Sequence, residues 1–422
     1  MSAIQILELV TFLWLTFWAL LSLRSIARGR RDSLLFLFLV FYFYFGVPIF
    51  CDFVFGKPNY GEQPGFAIVT NDATTQAIYC LYVCFVPLLW LPFLLSHPSR
   101  ELSQHAERHG TVYLGILAAF VVLPVVLASF APDPTVYRDY AVFVGVHDQS
   151  GDREYYKFVQ SSTFLALMAA AGIISSAARL GRAICLVLPF VGCAIWLNGK
   201  RTAFAFAIVL TVYVLWQRRA VSGRRLLFVA FAGAVAIAVL STVYQATVRD
   251  KDTQSLTKSD YYDGLRVDFG RDEHLKFAIY AEIHDEFRIL EQRGQSLVFY
   301  TTAYVPRALW PQKPFPFSAY YTCAMLGISP RLLGYGVTNC FFDECLANFG
   351  WIGLVIAPVI LGLVCRFGDS PNEVFISVMT GLVAALLISV ELIAFAPLFV
   401  FWVVVVLSSK LRFRSTQILA RQ

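Results

Sequence analysis

The 422-residue chain is 58% hydrophobic and only 15% charged, and its mean hydropathy is +0.64. Soluble globular domains are about half apolar and about a quarter charged, so this composition excludes an ordinary soluble domain for most of the chain. The formal net charge of +6 does not indicate nucleic-acid binding, because the basic residues fall in short loops beside apolar runs.

The apolar runs are long enough to cross roughly 30 Å of hydrocarbon, and in lipid such segments must be helical to satisfy their backbone groups. The expected fold class is therefore all-α, a polytopic membrane protein with about 11 transmembrane helices. The predicted spans lie at about residues 4–23, 33–50, 73–95, 111–131, 158–178, 183–197, 203–216, 226–247, 338–365, 374–390 and 392–408.

Basic residues follow the odd-numbered spans, for example Arg24 and Arg28 after the first, and Arg218 and Arg225 after the seventh. The positive-inside bias places these loops in the cytoplasm, so the N-terminus lies outside and the C-terminus inside. The predicted organisation is helices one to eight in residues 1–247, a large extracytoplasmic loop in 248–337, and helices nine to eleven with a cytoplasmic tail in 338–422.

Residues 183–216 form one apolar run that is interrupted by the pentapeptide Asn198-Gly199-Lys200-Arg201-Thr202. As a single helix the run would be roughly 50 Å long, too long for one crossing, so we expect two short helices joined at this break. Lys200 and Arg201 then lie near outer headgroup depth, where they suit a bound diphosphate. The alternative is an interfacial pair that snorkels to water.

The large outer loop is expected to contain an amphipathic helix with Ile279, Ile283, Phe287 and Leu290 on one face. His284, Asp285 and Glu286 fit an exposed face of that helix better than an acid/base cluster. All these residues precede a proline-rich stretch that is neither helix nor central strand.

Within the proline-rich stretch, Arg307 and Lys313 are a candidate anion site, because the prolines lower the entropy lost on ordering a cation. Ordinary solvated charges on a rigid loop are the alternative. Aromatic residues of the same loop, among them Tyr304 and Trp310, suit stacking on sugar rings, although an interfacial aromatic belt explains them equally well.

Asp343 and Glu344 stand at the outer start of the ninth span, and Asn348 follows Glu344 by one helical turn. Glu344 is the candidate general base for a sugar hydroxyl, kept ionised by nearby cations. The alternative for both acids is that they complement the helix dipole, an interpretation that fits Asp343 better.

The sequence contains no phosphate-cradling or dinucleotide-binding glycine motif and no HExxH or GxSxG. Nine cysteines are scattered without metal-ligand spacing. One disulfide among Cys323, Cys340 and Cys345 is conceivable, but small buried hydrophobic residues are the better interpretation. No metal or other cofactor is expected.

Taken together, these features resemble the bacterial O-antigen polymerase family, the oligosaccharide repeat-unit polymerases. The resemblance covers roughly residues 195–360 and rests on Gly199-Lys200-Arg201-Thr202, on Val305-Pro306-Arg307 with Pro311-Gln312-Lys313-Pro314, and on the glycine-rich lead into Glu344 followed by Asn348-Phe349-Gly350 and Gly353.

The resemblance implies a membrane glycosyltransferase of lipopolysaccharide biosynthesis, in the bacterial inner membrane with a periplasmic active site. It would transfer a growing glycan from undecaprenyl diphosphate onto an incoming lipid-linked repeat unit. Glu344, Arg201 and Arg307 would be catalytic, Lys200, Arg201, Arg307 and Lys313 would bind the diphosphate, and Trp310, Tyr304 and Asn348 would bind the glycan. A chain-length regulator is a further candidate partner.

Two other functions stay open. A transporter or flippase for a lipid-linked glycan also uses broken helices and buried cations, but transporters usually show two similar halves. The related O-antigen ligases carry a histidine in the outer loop before a late span, and residues 331–349 contain none. The sequence therefore favours a polymerase.

Overall fold

The computed structural model describes residues 2–30, 32–61, 63–95, 111–138, 140, 152–221, 223–248, 262–263, 266, 270–303, 305, 309–329, 336–370 and 373–419. All regular secondary structure in these ranges is helical, as the composition predicts.

The first ten helices, with a π-helical turn over Tyr42–Gly46 between the second and the third, cover the predicted spans up to residue 247 apart from a few terminal residues. They are α1 (Ala3–Ala27), α2 (Ser33–Phe41), α3 (Val47–Phe55), α4 (Pro64–Asn71), α5 (Ala73–Leu95), α6 (Thr111–Ser129), α7 (Asp152–Ser176), α8 (Leu180–Asn198), α9 (Arg201–Gln217) and α10 (Arg224–Val248). The later helices are α11 (Arg271–Ile283), α12 (Gln295–Thr302), α13 (Phe317–Leu326), α14 (Phe341–Phe349), α15 (Gly353–Asp369), α16 (Val374–Ser389) and α17 (Ala396–Leu419).

Seven helical segments are long and apolar enough to cross a membrane, and three shorter apolar helices accompany them. These ten helices overlap ten of the eleven predicted spans, and the eleventh, 226–247, falls inside α10. The predicted number of about 11 crossings stays a prediction. Leu13, Phe17 and Leu20 of α1 are each about half exposed, which suits an apolar solvent far better than water. The chain thus has the helices of a multi-pass membrane protein.

The chain divides into two compact units. The first comprises Met1–Ser99, Leu256–Arg366 and Ala384–Ala394. Trp90 of α5 is central to its core: the indole is fully buried, stacks edge-on against Phe38 and Phe41, and donates its N–H to the Pro358 carbonyl of α15 at 2.8 Å. This bond fixes α15, and with it the preceding α14, against the N-terminal helices of the unit.

The second unit comprises Arg100–Ser255, Phe367–Val383 and Phe395–Gln422. Arg218, just past α9, donates to the carbonyls of Ile174 at 2.6 Å and Ala177 at 2.9 Å and so caps the end of α7. Trp402 of α17 donates to Thr380 of α16 at 2.9 Å. These bonds pair polar groups from different parts of the second unit.

The break predicted in residues 183–216 is confirmed. Helix α8 ends at Asn198, Gly199 takes a left-handed φ of 63°, and Lys200 is extended before α9 begins at Arg201. A left-handed residue after the last helical one is where glycine is favoured, because it lacks a Cβ. The Asn198 side chain donates to the Gln160 carbonyl at 3.0 Å, which ties the break to α7.

The amphipathic helix predicted around Ile279–Leu290 is wrong in position. Helix α11 begins at Arg271 and ends at Ile283, and a short 3-10 turn over Asp285–Phe287 follows. The helix also has no solvent-facing polar stripe, because most of its residues are buried, including every charged one except Glu282. Asp285 and Glu286 are exposed, as the preferred interpretation of that cluster requires. All nine cysteines are free.

Candidate functional site

Helix α14 places two adjacent carboxylates at its first turn, and they have different partners. Asp343 accepts hydrogen bonds from the backbone N–H of Cys340 at 2.9 Å and of Glu344 at 2.9 Å, and it is fully buried. The Glu344 N–H also bonds the Cys340 carbonyl at 3.3 Å, and Asp343, at the third helical position, completes a capping box with Cys340 at the N-terminus. The helix-terminal interpretation of Asp343 is therefore correct.

Glu344 instead points toward α12 and is only 4% exposed. Its Oε1 accepts from the Ser296 hydroxyl at 2.7 Å and its Oε2 from the Tyr300 hydroxyl at 2.9 Å. Asn348, one turn along α14, donates to Ser296 Oγ at 2.7 Å and to the Glu344 carbonyl at 2.8 Å. We refer to Glu344, Asn348, Ser296 and Tyr300 as the Glu344 cluster.

The electrostatic surroundings of the cluster are acidic. Burial raises the pKa of the Tyr300 hydroxyl well above its ordinary value, and the charges of Glu344 and Glu391 raise it further. Tyr300 is therefore a protonated donor at neutral pH. Glu391 is itself buried and accepts from the Ser318 backbone N–H at 3.2 Å.

Among the described residues, no cation hydrogen-bonds Glu344, so its predicted stabilisation by nearby cations is not seen in that part of the chain. The neutral hydroxyls of Ser296 and Tyr300 bond the carboxylate instead. A carboxylate has about four acceptor positions, and these two bonds leave room for a further donor.

Two asparagine side chains near the cluster have unused polar atoms. Within the described part of the chain, Asn348 Oδ1 is buried without a hydrogen-bond partner, and so are both side-chain polar atoms of Asn339, just ahead of α14. Buried polar atoms are nearly always paired, so groups without protein partners are candidates for contact with water or a ligand. Asn348, predicted to bind glycan, thus has an acceptor available for a sugar hydroxyl.

The end of α14 explains one glycine of the sequence motif. Arg293 pairs with Glu282 and donates to the carbonyls of Leu346 and Ala347, both at 3.2 Å. Gly350 follows with a left-handed φ of 64°, and a Cβ there would lie 3.2 Å from the Arg293 guanidinium. Close packing of an arginine against the helix end therefore requires glycine.

The proline-rich loop places Lys313 in a bonded environment. The residue is 7% exposed, and its ammonium donates to the carbonyls of Ala303 at 2.7 Å and Val305 at 3.0 Å and lies 5.3 Å from the centre of the Phe299 ring. Lys313 thus fixes the loop to the end of α12. A role in diphosphate binding stays a prediction.

The other predicted residues are only partly described. Arg307 and Tyr304 lie outside the described residues, and Trp310 is partly buried with its carbonyl accepting from the Lys313 backbone N–H at 3.0 Å. Lys200 is exposed at the helix break. Of Arg201 only the backbone is described, at the first position of α9.

The sequence-predicted site residues thus divide between the two units. Lys200 and Arg201 belong to the second unit, whereas Lys313, Glu344 and Asn348 belong to the first. Of the predicted residues, the structure brings Glu344 and Asn348 into direct contact.

Sequence reasoning missed Ser296, Tyr300 and Glu391. Hydroxyl residues in a polar loop carry no distinguishing signal of their own. The spacing of Ser296 and Tyr300, four residues apart and therefore on one helical face, could have paired them if α12 had been recognised.

It also missed a group of acidic side chains in the first unit. Asp52, Asp272 and Glu273 have carboxylate oxygens within 4.8 Å of one another, close enough to share a cation. Arg266 and Lys276 already bond these oxygens, at 2.7 Å for Arg266 to Asp272 and 2.8 Å for Lys276 to Glu273. Two resident positive charges make this donor set a poor fit for a metal ion.

The chain was compared with known protein families, curated proteins and solved structures, and none matches it. Fold and site alone therefore define its class, an all-helical protein with the helices of a multi-pass membrane protein and a buried carboxylate cluster at the start of one span.

Proposed function

We propose that this protein is a polysaccharide repeat-unit polymerase of the bacterial inner membrane. It transfers a glycan from its polyprenyl diphosphate carrier to a hydroxyl of an incoming lipid-linked repeat unit at the periplasmic face. The reaction consumes no nucleotide, because the donor carries its own activated bond.

The observation that carries the proposal is the Glu344 cluster. A carboxylate costs on the order of 3 kcal/mol at the centre of a membrane span on insertion scales and less towards its ends, so a buried carboxylate at the start of a span still favours a functional role. Ser296 and Tyr300 hold its two oxygens at 2.7 and 2.9 Å, which fixes the orientation of the carboxylate. Asn348 completes the support by bonding Ser296.

In the proposed reaction, the acceptor hydroxyl attacks the anomeric carbon of the donor. The new glycosidic C–O bond forms as the bond from that carbon to the diphosphate oxygen breaks, and the electron pair leaves with the diphosphate. Glu344 takes the acceptor proton. Ser296 and Tyr300 stay protonated and orient the base.

The diphosphate is the part of the substrate that needs cations. Arg201 and Arg307 are proposed as its principal ligands, since guanidinium binds phosphate oxygens in pairs, with Lys200 as an additional point charge. Lys313 is proposed to shape the loop that carries Arg307, because its ammonium already bonds the carbonyls of Ala303 and Val305.

The test is reconstitution of the purified protein with polyprenyl-diphosphate-linked repeat units as both donor and acceptor. The proposal predicts a ladder of products that differ by one repeat unit. Movement of the lipid-linked unit across the vesicle membrane with no ladder would instead indicate a transporter. Transfer only to an added lipid A-type acceptor would indicate a ligase.

A further inference from the structure

A buried ionic network in the first unit joins Asp52 of α3, Arg266, and Asp272, Glu273 and Lys276 of α11. Arg266 bonds both oxygens of Asp52 at 2.9 Å and both oxygens of Asp272 at 2.7 and 2.8 Å. Lys276 bonds Glu273 at 2.8 Å and Asp272 at 3.2 Å. We call these five residues the α11 network.

The α11 network has one unbalanced negative charge when all its groups are ionised, because three carboxylates face two cations. Four of the five side chains are at most 6% exposed, and Asp52 is 16% exposed. An unpaired buried charge costs several kcal/mol, so a buried cluster tends to neutralise itself. One further positive charge is expected inside it.

The hydrogen bonds show where that charge belongs. Both oxygens of Asp52 and of Asp272 accept from Arg266. Glu273 Oε1 accepts from Lys276, but Glu273 Oε2 is buried with no hydrogen-bond partner among the described residues. The hydroxyl of Tyr60 is likewise buried without a partner. The unfilled position is therefore at Glu273 Oε2.

We propose that the α11 network is a proton-binding site, with one proton held on Glu273 Oε2 in the folded protein at neutral pH. The proton makes the network neutral and converts the unpartnered acceptor into a donor. No metal is needed, and Arg266 and Lys276 would oppose one.

The electrostatics of the individual groups agree with this assignment. Burial is the largest effect at Glu273 and raises its pKa, while Lys276 and Arg266 oppose that rise and Asp272 and Asp52 add to it. Burial also tends to raise the pKa of Asp272. The charges and hydrogen bonds of Arg266 and Lys276 outweigh that effect and hold the pKa below its usual range.

Three phenols from other elements also face Glu273: Tyr60 before α4, Tyr79 of α5 and Tyr321 of α13. Burial keeps the pKa of Tyr60 and of Tyr321 above the ordinary value, so both phenols are neutral and leave the charge of the network unchanged. The lysine ammonium that bonds Glu273 also lies 4.9 Å from the Tyr79 ring centre.

The sign of the pH dependence follows. Folding raises the Glu273 pKa. The stabilising contribution of this group to the folded state is therefore complete at pH values below its unfolded pKa of about 4.3. That contribution is lost as the pH rises through the higher folded value.

Infrared spectroscopy of the full-length purified protein tests the proposal. At neutral pH the wild type should show a protonated carboxyl C=O band that is missing from Glu273→Gln, and the band should fade as the pH is raised. Identical spectra of the two proteins in that region would overturn it. A saturable rise of Tm with sodium ions, in a protein without the band, would also overturn it and assign the site to a metal cation.

Thermal unfolding of matched variants is the second measurement. Glu273→Gln should keep its Tm within about 2 °C of the wild type, because the amide has the size and neutrality of the protonated acid. Asp272→Asn should lose roughly 3–6 °C, because it leaves Arg266 and Lys276 without their shared ionised partner. A Glu273→Gln protein that fails to fold would contradict the proposal.

Discussion

At the scale of single residues, Tyr300 tests whether the hydroxyl donors of the Glu344 cluster matter for chemistry. Its hydroxyl donates to Glu344 Oε2 at 2.9 Å. Tyr300→Phe should lower kcat of polymerisation roughly 10- to 100-fold with little change in KM, because a hydrogen bond to a charged group contributes about 1.5–3 kcal/mol. Tyr280→Phe removes a hydroxyl that does not bond Glu344 and is the control. Wild-type turnover in Tyr300→Phe would contradict the role assigned to Tyr300.

Arg201 tests the diphosphate site at the same scale. Arg201→Ala should abolish polymerisation in a folded, inserted protein, and Arg201→Lys should still be costly because it loses the paired donors of guanidinium. One charge-assisted contact is worth about 2–4 kcal/mol of transition-state stabilisation, or tens- to several-hundred-fold in rate. Arg225→Ala, at an exposed arginine near the start of α10, is the control. Near-normal glycan ladders from Arg201→Ala membranes would reject the site.

At the scale of elements, the junction between α14 and α15 depends on close backbone contact. A Cβ on Gly353 would lie 2.1 Å from the Cys345 carbonyl oxygen, so no side chain fits without moving the helices. Gly353→Ala should destabilise the protein by about 3 kcal/mol or more, measured by thermal unfolding. Gly115→Ala in α6 meets no atom within 4 Å and should be neutral or slightly stabilising. Equal Tm values for the two variants would show that the junction relaxes at no cost.

The same elements show what sequence can and cannot predict. The break between α8 and α9 was predictable, because an Asn-Gly pair followed by two cations cannot continue an apolar helix through lipid. Helix α11 was misplaced because its charged residues look like a solvent-facing stripe. In the fold they are buried and paired, and Asp52 lies 214 residues from Arg266 in sequence. Local periodicity carries no information about such long-range pairs.

The candidate site was predictable to the same limited degree. Glu344 and Asn348 stood out as polar residues at the start of an apolar run, four residues apart. Their supports, Ser296 and Tyr300, are 48 and 44 residues away from Glu344. Lys313 looked like a free cation, but the carbonyls that bind it are properties of the folded loop.

At the scale of the whole molecule, the predicted topology follows from charge bias alone. The Asn198–Thr202 break and residues 249–335 should face outside, and residues 217–225 should face the cytoplasm. Single cysteines in a cysteine-free background, labelled with a membrane-impermeant reagent, check this. Labelling of position 200 from outside is expected. Labelling of position 221 from outside would contradict the prediction that residues 180–217 cross the membrane twice.

The central claim is that Glu344 acts as the base in glycosyl transfer, and Glu344→Gln tests it most directly. The purified variant should fold, bind the lipid-linked donor with nearly unchanged affinity, and turn over roughly 10²- to 10⁴-fold more slowly than the wild type. Asp343→Asn, which changes the neighbouring helix cap, should retain most of the turnover. A Glu344→Gln enzyme that keeps its turnover but loses donor affinity would contradict the account, and would assign the carboxylate to positioning the phosphate-binding arginines instead.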